Sequence, residues 1–297
     1  MIINAKDKIK EIKINEHPCL SEKAHLKYGR VHIPVAPKCN IQCNYCVRKY
    51  DCINESRPGV TSIVLNAKEA FFRLRLILDK DDTIKVVGVA GPGDALANDE
   101  TFELFYHLKR CYPHIHLCIS TNGLILAERI KELKELNVSS ITITLNTLKK
   151  ETAEKIYSFA IKDGKRYRGS DAATIINESQ LKGIKEAVSN DFIVKINTVL
   201  IPGINDNEIE EIAKWIAEAG AYTQNIISLF PQGKMRDMKK PTCHDIYLVR
   251  KKAEAFMKQM SHCAKCRSDA LGKIGENRDI EYDSLSALFG IYYLENI

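Results

Sequence analysis

The sequence predicts an α/β protein built as one partial (βα)6 barrel with an extension at each end. The length of 297 residues suits a single barrel of roughly 200–250 residues with additions at both termini. Six short apolar runs alternate with amphipathic stretches, the pattern of β-then-α units in a parallel sheet. Runs such as 85–90 (KVVGVA) are apolar on successive residues, as expected of strands covered by helices.

Taken in order, the strands are expected at 31–36, 84–90, 115–121, 140–146, 192–200 and 223–230. The intervening helices fall at 66–80, 98–110, 126–136, 149–159, 175–189 and 206–219, and another follows at 242–261. The loops after the strands share one rim, where barrel active sites assemble. Residues 1–30 form an N-terminal extension, 31–261 the barrel and 262–297 a C-terminal extension, and the basic stretch 160–172 enlarges one connection. The chain shows no repeat, low-complexity tract or Gly/Ser linker that would mark an independent second domain.

The composition, 45% hydrophobic and 28% charged, is that of an ordinary globular protein. No apolar run approaches the ~20 residues of a membrane span, and the lysine-rich start has no apolar signal-peptide centre. A cytoplasmic protein with no membrane and no nucleic-acid partner is therefore expected. The net charge of +6 is spread along the chain, with mild clusters at 8–13, 162–168 and 234–240. Solvated faces account for these, and a docking surface for an acidic protein is the minor alternative. Ten cysteines in a reducing compartment point to metal binding rather than disulfides.

Cys39, Cys43 and Cys46 follow the first strand as C-x3-C-x2-C, with Tyr45 directly before the third cysteine. Three thiolates so placed can each hold one iron of a cubane and leave the fourth iron open to a chelating substrate. A zinc site or three core cysteines is the bland alternative, although zinc usually takes paired C-x2-C knuckles. The motif and its position resemble the radical S-adenosylmethionine (SAM) superfamily, whose fold is a partial TIM-type barrel and whose open iron binds the methionyl amine and carboxylate. That resemblance places Gly91, Gly93 and Asp94 of AGPGDAL at the methionyl amine. It places Ser120, Thr121 and Asn122 of STNG, with Asn146, at ribose or carboxylate groups, and the backbone at Ile201 in TVLIPGIND at adenine. Each of these segments also reads as ordinary turn chemistry.

Residues 17–60, together with VAGPGDALAN, ITITLN, KRYRG and the late C-x2-C, resemble the NifB family of nitrogenase-cofactor maturases over nearly the whole chain. The resemblance implies three 4Fe–4S clusters, one binding SAM and two auxiliary clusters that are substrate. His17, Cys19, Cys52, Cys118, Cys263 and Cys266 would be the auxiliary ligands, with Cys19 grouped with Cys263 and Cys266, and Cys52 and Cys118 grouped with His17. His25 is the alternative histidine ligand, and a zinc half-site is the alternative for the terminal pair. Cys111 and Cys243 read as packed or surface thiols. Glu55, followed by Ser56 and Arg57, is placed to guard the open iron or steer a proton, or to lie in a solvated loop.

The implied activity takes a methyl group from one SAM onto a cluster sulfide. It then uses a 5′-deoxyadenosyl radical from another to abstract hydrogen, and fuses the two clusters around that carbon with an added sulfur into an eight-iron precursor. The implied partners are a cluster donor, an electron donor such as ferredoxin or flavodoxin, and cofactor carrier or scaffold proteins. Many bacterial members carry an added carrier-like C-terminal domain for which this chain has no room, so the stand-alone archaeal type is expected. A radical SAM enzyme modifying a peptide or small molecule, and a non-enzymatic iron–sulfur carrier, are the competing classes.

Overall fold

The computed structural model describes residues 5–55, 59–276, 278–281 and 283–284, so Ser56 and Arg57 lie outside the described residues. The chain enters through α1 (Ala5–Glu16) and the short α2 (Ala24–Lys27), then forms β1 (Gly29–His32). This strand is shorter than the expected 31–36 because Pro34 has no N–H for a ladder. The Ile33 N–H still donates to the Gly88 carbonyl at 2.9 Å before the backbone turns away. The cysteine-bearing loop follows and includes β2 (Ile41–Cys43).

Next come α3 (Ala67–Leu78) and β3 (Ile84–Val89). The start of α3 is fixed by a capping box in which Asn66 accepts from the Glu69 N–H and Glu69 accepts from the Asn66 N–H. The alternation continues through α4 (Asp99–Cys111), β4 (His116–Thr121), α5 (Leu126–Glu135), β5 (Val138–Thr144) and α6 (Lys150–Ile156). The expected helix 149–159 stops early at Ile156. Tyr157–Lys162 instead forms β6, which pairs with β7 (Lys165–Arg168) across Asp163-Gly164, both at positive φ. That Asp-Gly pair is the usual signature of a two-residue hairpin.

The chain then continues through α7 (Gly169–Ser189), β8 (Ile193–Leu200), α8 (Ile209–Glu218), β9 (Thr223–Ser228) and α9 (Cys243–Ala253), and ends its described part with β10 (Ala270–Gly272) and β11 (Arg278–Asp279). β1, β3, β4, β5, β8 and β9 lie side by side in sequence order, all parallel, as the six expected units require. β10 adds antiparallel to β1 and β11 to β10. At the other edge, residues 258–260 run beside β9, with the Met260 N–H donating to the Gln224 carbonyl at 2.7 Å. Among the described residues, no helix is long and apolar enough to cross a membrane.

The apolar core lies between sheet and helices and includes Val87, Val89, Ile119, Ile141, Ile143, Ile196, Leu104 and Ile212. The inner face differs from that core. Strand alternation turns Cys118 and Ser120, Ser140, Thr142 and Thr144, Lys195 and Asn197, and Asn225 toward the barrel interior. The central strands are therefore apolar on the helix side and polar inside, which leaves room in the barrel instead of filling it with aliphatic layers.

β2, β6 and β7 make a separate three-stranded sheet, with Ile41 opposite Ala160 and Cys43 opposite Tyr157. The hairpin thus braces the cysteine loop from outside. Gly233 braces it from a second direction, since a Cβ there would stand 2.7 Å from the Asn44 carbonyl oxygen.

Candidate functional site

Two adjoining cavities occupy the barrel interior. The first, about 420 Å³, is lined by Cys39, Cys43, Cys46 and Cys52 with Tyr45, Asn54, Gly93, Asp94, Thr121 and Asn122. The second, about 590 Å³, is lined by His17, Cys19, Cys118, Cys263 and Cys266 with His32, Lys195, Asn197 and Asn225. Glu55 and Ser120 line both.

The Gly-rich loop after β3 positions the first cavity. The Gly93 N–H donates to the Ala36 carbonyl at 2.6 Å and the Asp94 N–H to the Lys38 carbonyl at 2.8 Å. A Cβ at Gly93 would fall 2.2 Å from the Lys38 oxygen, so only glycine permits this approach. The Asp94 carboxylate accepts from the Asn122 N–H at 2.6 Å, the Thr121 hydroxyl at 3.0 Å and the Leu96 N–H at 3.0 Å. Asn122 then reaches the cysteine loop, donating to Asn40 Oδ1 at 2.7 Å with Cys39 Sγ 3.7 Å away. Gly91 adopts φ 139°, and a side chain there would meet Ser268.

Tyr45 is fully buried and its hydroxyl donates to Asn54 Oδ1 at 2.6 Å. Asn54 Nδ2 stands 3.7 Å from Cys52 Sγ and 4.0 Å from Cys43 Sγ. Asn146, also fully buried, donates to the Tyr45 hydroxyl at 2.7 Å and accepts from the Val199 N–H at 2.8 Å. The Ile201 N–H is taken by Asn205 Oδ1 at 2.8 Å, and its carbonyl accepts from the N–H groups of Ile204 and Asn205. Asn146 and Ile201 thus sit at the expected strand ends with their polar groups engaged inside the protein.

In the second cavity, two cysteine sulfurs face a hydrogen-bond donor. Arg30 Nη2 donates to Cys266 at 2.8 Å and Asn225 Nδ2 to Cys263 at 3.3 Å. Such donors favour a thiolate, as a metal ligand must be. Burial, the largest cause in each case, works the other way: Cys19 is pushed up to about 11, Cys39 and Cys118 up to about 12, and Cys43 and Cys52 are raised as well. Binding of iron must therefore displace protons from these thiols.

His17 Nδ1 accepts from the Cys19 N–H at 3.1 Å, while its Nε2 is buried with no partner. Burial keeps both His17 and His32 neutral, each with its pKa lowered to about 3. His32 was not legible as a site residue. Its Nδ1 lies 3.1 Å from the Arg267 carbonyl, which only accepts, so the free lone pair is on Nε2. Gly88 separates His32 from Cys118 with no side chain of its own, a Cβ there standing 3.1 Å from Cys118 Sγ and 3.5 Å from the His32 ring. His25 stacks on His262 outside the cavity wall, with ring centroids 4.7 Å apart. Cys111 and Cys243 are exposed.

The donor sets suit clusters better than a lone ion. No three His, Cys, Asp or Glu side chains among the described residues converge on one ion position. A cubane takes one ligand per iron, so its ligands do not converge on a common point. Cys52 faces the first cavity, whereas Cys19, Cys118, Cys263 and Cys266 share the second with His17.

Glu55 bridges the two cavities. It accepts from Asn197 Nδ2 at 2.9 Å and stands 3.5 Å from the Thr144 hydroxyl, and burial raises its pKa to about 8. At neutral pH it carries a proton at the point where the cavities meet.

Residues 33–216 match the family model of the Radical SAM superfamily. The FeMo cofactor biosynthesis protein NifB of Methanocaldococcus infernus is 49% identical over 265 residues, 89% of this chain and 87% of that protein. The NifB of Methanocaldococcus jannaschii is 44% identical over 268 residues, covering 89% and 88% of the two chains. That of Klebsiella pneumoniae is 40% identical over 278 residues, 91% of this chain but only 59% of its own length. Membership in the superfamily carries SAM and a four-iron cluster with it, and the chain belongs, within the radical SAM enzymes, to the NifB family.

Proposed function

We propose that the chain acts in nitrogenase-cofactor biosynthesis by converting two four-iron clusters, taken as substrate, into an eight-iron precursor with a SAM-derived carbon at its centre and an added sulfur. The adjoining cavities carry this reading. One presents the C-x3-C-x2-C cysteines and the other a second set of buried sulfur and imidazole donors, with a shared wall at Glu55 and Ser120. A cluster that only relayed electrons would not need donors gathered on the same barrel floor as the SAM-binding loops.

Cys39, Cys43 and Cys46 would hold the resident cluster, which would supply one electron to the sulfonium of SAM. Asp94, Thr121 and Asn122 fix the loop that carries Cys39, and Tyr45 fixes the loop between Cys43 and Cys46. His17, Cys19, Cys118, Cys263 and Cys266, with His32 as a further imidazole donor, hold the substrate clusters, and Cys52 serves from the wall of the first cavity. A sulfide of a substrate cluster takes the methyl group from one SAM, breaking its S–CH3 bond and leaving S-adenosylhomocysteine. Hydrogen abstraction from that methyl group then yields 5′-deoxyadenosine and methionine from another SAM. Glu55 lines both cavities, and it can take a proton from that carbon only after giving up the one it carries at neutral pH. A cluster donor, a ferredoxin- or flavodoxin-like electron donor and a carrier for the product complete the scheme.

Anaerobic reconstitution with iron and sulfide, followed by assay of both SAM products, tests the reading. Cys39, Cys43 and Cys46 changed together to Ala are expected to abolish 5′-deoxyadenosine while iron remains bound elsewhere. Undiminished cleavage in that variant refutes the assignment. A parent protein that makes 5′-deoxyadenosine but never S-adenosylhomocysteine, with its other iron unchanged after turnover, favours modification of a peptide or small molecule.

A further inference from the structure

We propose that Lys195 is the fixed cation that binds the anionic substrate clusters in the second cavity, an inference that rests on the function proposed above. Lys195 is the third residue of β8, in register with Thr142 of β5 and Thr223 of β9, and strand alternation turns it into the barrel. It is 8% exposed and lines the second cavity. Among the described residues its ammonium has no hydrogen bond or ion pair. The ionisable groups that act on it most strongly are Cys19, Glu55, Cys263 and Cys118, all facing the same space.

Burying an ammonium without a partner is costly, and a same-sized apolar side chain would usually serve a fold better. Arg30, the other cation at this wall, is different in kind. Its Nη1 donates to the carbonyls of Gly272 and Lys273 and its Nη2 to Cys266 Sγ, so it ties the C-terminal segment to β1. Of these two cations, only Lys195 lines the cavity, where His17 Nε2 is also without a partner.

A four-iron cluster ligated by thiolates carries net negative charge and exposes sulfides that accept hydrogen bonds. Such a cluster meets both needs of the Lys195 ammonium, charge and acceptors. The residue is then a liability in the empty protein and a contact in the loaded one. A merely structural lysine would not show that change of sign.

The test uses Lys195→Met and Lys195→Arg, each in the parent chain and in the Cys39/Cys43/Cys46→Ala background, where iron counts leave out the resident cluster. Metal-free K195M is expected to withstand more urea than the metal-free parent. After anaerobic reconstitution, the same variant is expected to surrender its second-cavity iron to a chelator at least about tenfold faster, the factor that corresponds to loss of one charged hydrogen bond. K195R is expected to retain iron better than K195M. Iron release from K195M at the parent rate overturns the inference, whatever the urea result, and so do equal losses in K195M and K195R. The functional reading fails separately if the triple-cysteine background with native Lys195 takes up no iron, and the inference falls with it.

Discussion

Asn146 distinguishes an internal strut from a cofactor contact, and replacing it by Ala separates the two. The side chain is wholly buried where β5 ends. It donates to the Tyr45 hydroxyl at 2.7 Å and stands 3.3 Å from that of Tyr157, and its carbonyl accepts from the Val199 N–H at 2.8 Å. Removing the two side-chain contacts costs about 1 kcal/mol each, and the orphaned backbone N–H of Val199 adds about 1–3 kcal/mol. The sum, about 3–5 kcal/mol, is a large share of the roughly 5–15 kcal/mol that holds a typical domain together. Anaerobic urea denaturation of the metal-free protein reads it as a lowered midpoint at unchanged slope. Because Tyr45 loses one of its two hydroxyl partners, the first cluster is also expected to release iron to a chelator faster. A loss below about 1 kcal/mol, combined with weaker SAM binding, would refute the strut and return Asn146 to the ligand role expected from its position after the fourth strand.

Two further outcomes follow from the geometry. Gly93→Ala puts a methyl group against the backbone oxygens of Lys38 and Ala36, 2.2 and 2.7 Å from the ideal Cβ, so the cysteine loop must shift. A loss of about 1–3 kcal/mol with 5′-deoxyadenosine formation reduced by more than the lost folded fraction is expected; wild-type cleavage would show the loop to be slack. Cys263 and Cys266 changed together to Ser are expected to lower iron by roughly one cluster and to expose residues 17–25 to protease. His262 contacts the Pro18 carbonyl at 3.0 Å and Ser261 donates to Glu22 at 2.6 Å, so the two terminal segments lean on each other. Full iron content with an undisturbed N-terminal segment would remove this pair from the ligand set.

The parallel strands were legible because runs such as IKVVGV and IVKINTVL are rich in β-branched residues and are spaced by helical patterns, and their pairing in sequence order follows from short βα connections. The hairpin of β6 and β7 was hidden for a different reason. Its Asp-Gly turn is a local signal, but the amphipathic pattern of 149–156 runs straight into Tyr157, and the partner that makes Tyr157–Lys162 a strand is β2, more than a hundred residues earlier. Propensity there is decided by a distant edge that must be covered.

A similar limit governs the site. The cysteines stand out in sequence because their chemistry is rare, whereas His32 and Lys195 lie inside ordinary-looking strands and acquire meaning only from register. His32 sits opposite Gly88, Gly88 opposite Cys118, and Cys118 opposite Ser140, one row across four strands. The alternation in SSITIT already shows that β5 has a polar face, and the lysine in IVKINTVL falls on the same inner side. A polar face is compatible with solvent or with a filled barrel interior. What converts it into a binding surface is the pair of terminal segments, which bring Cys19, Cys263 and Cys266 over the open barrel and are joined to it by Arg30 and by β10. The second cavity therefore depends on three separate parts of the chain being folded at once. Its ligands read individually as scattered thiols, and its chemistry follows from the strand register and the chain ends together.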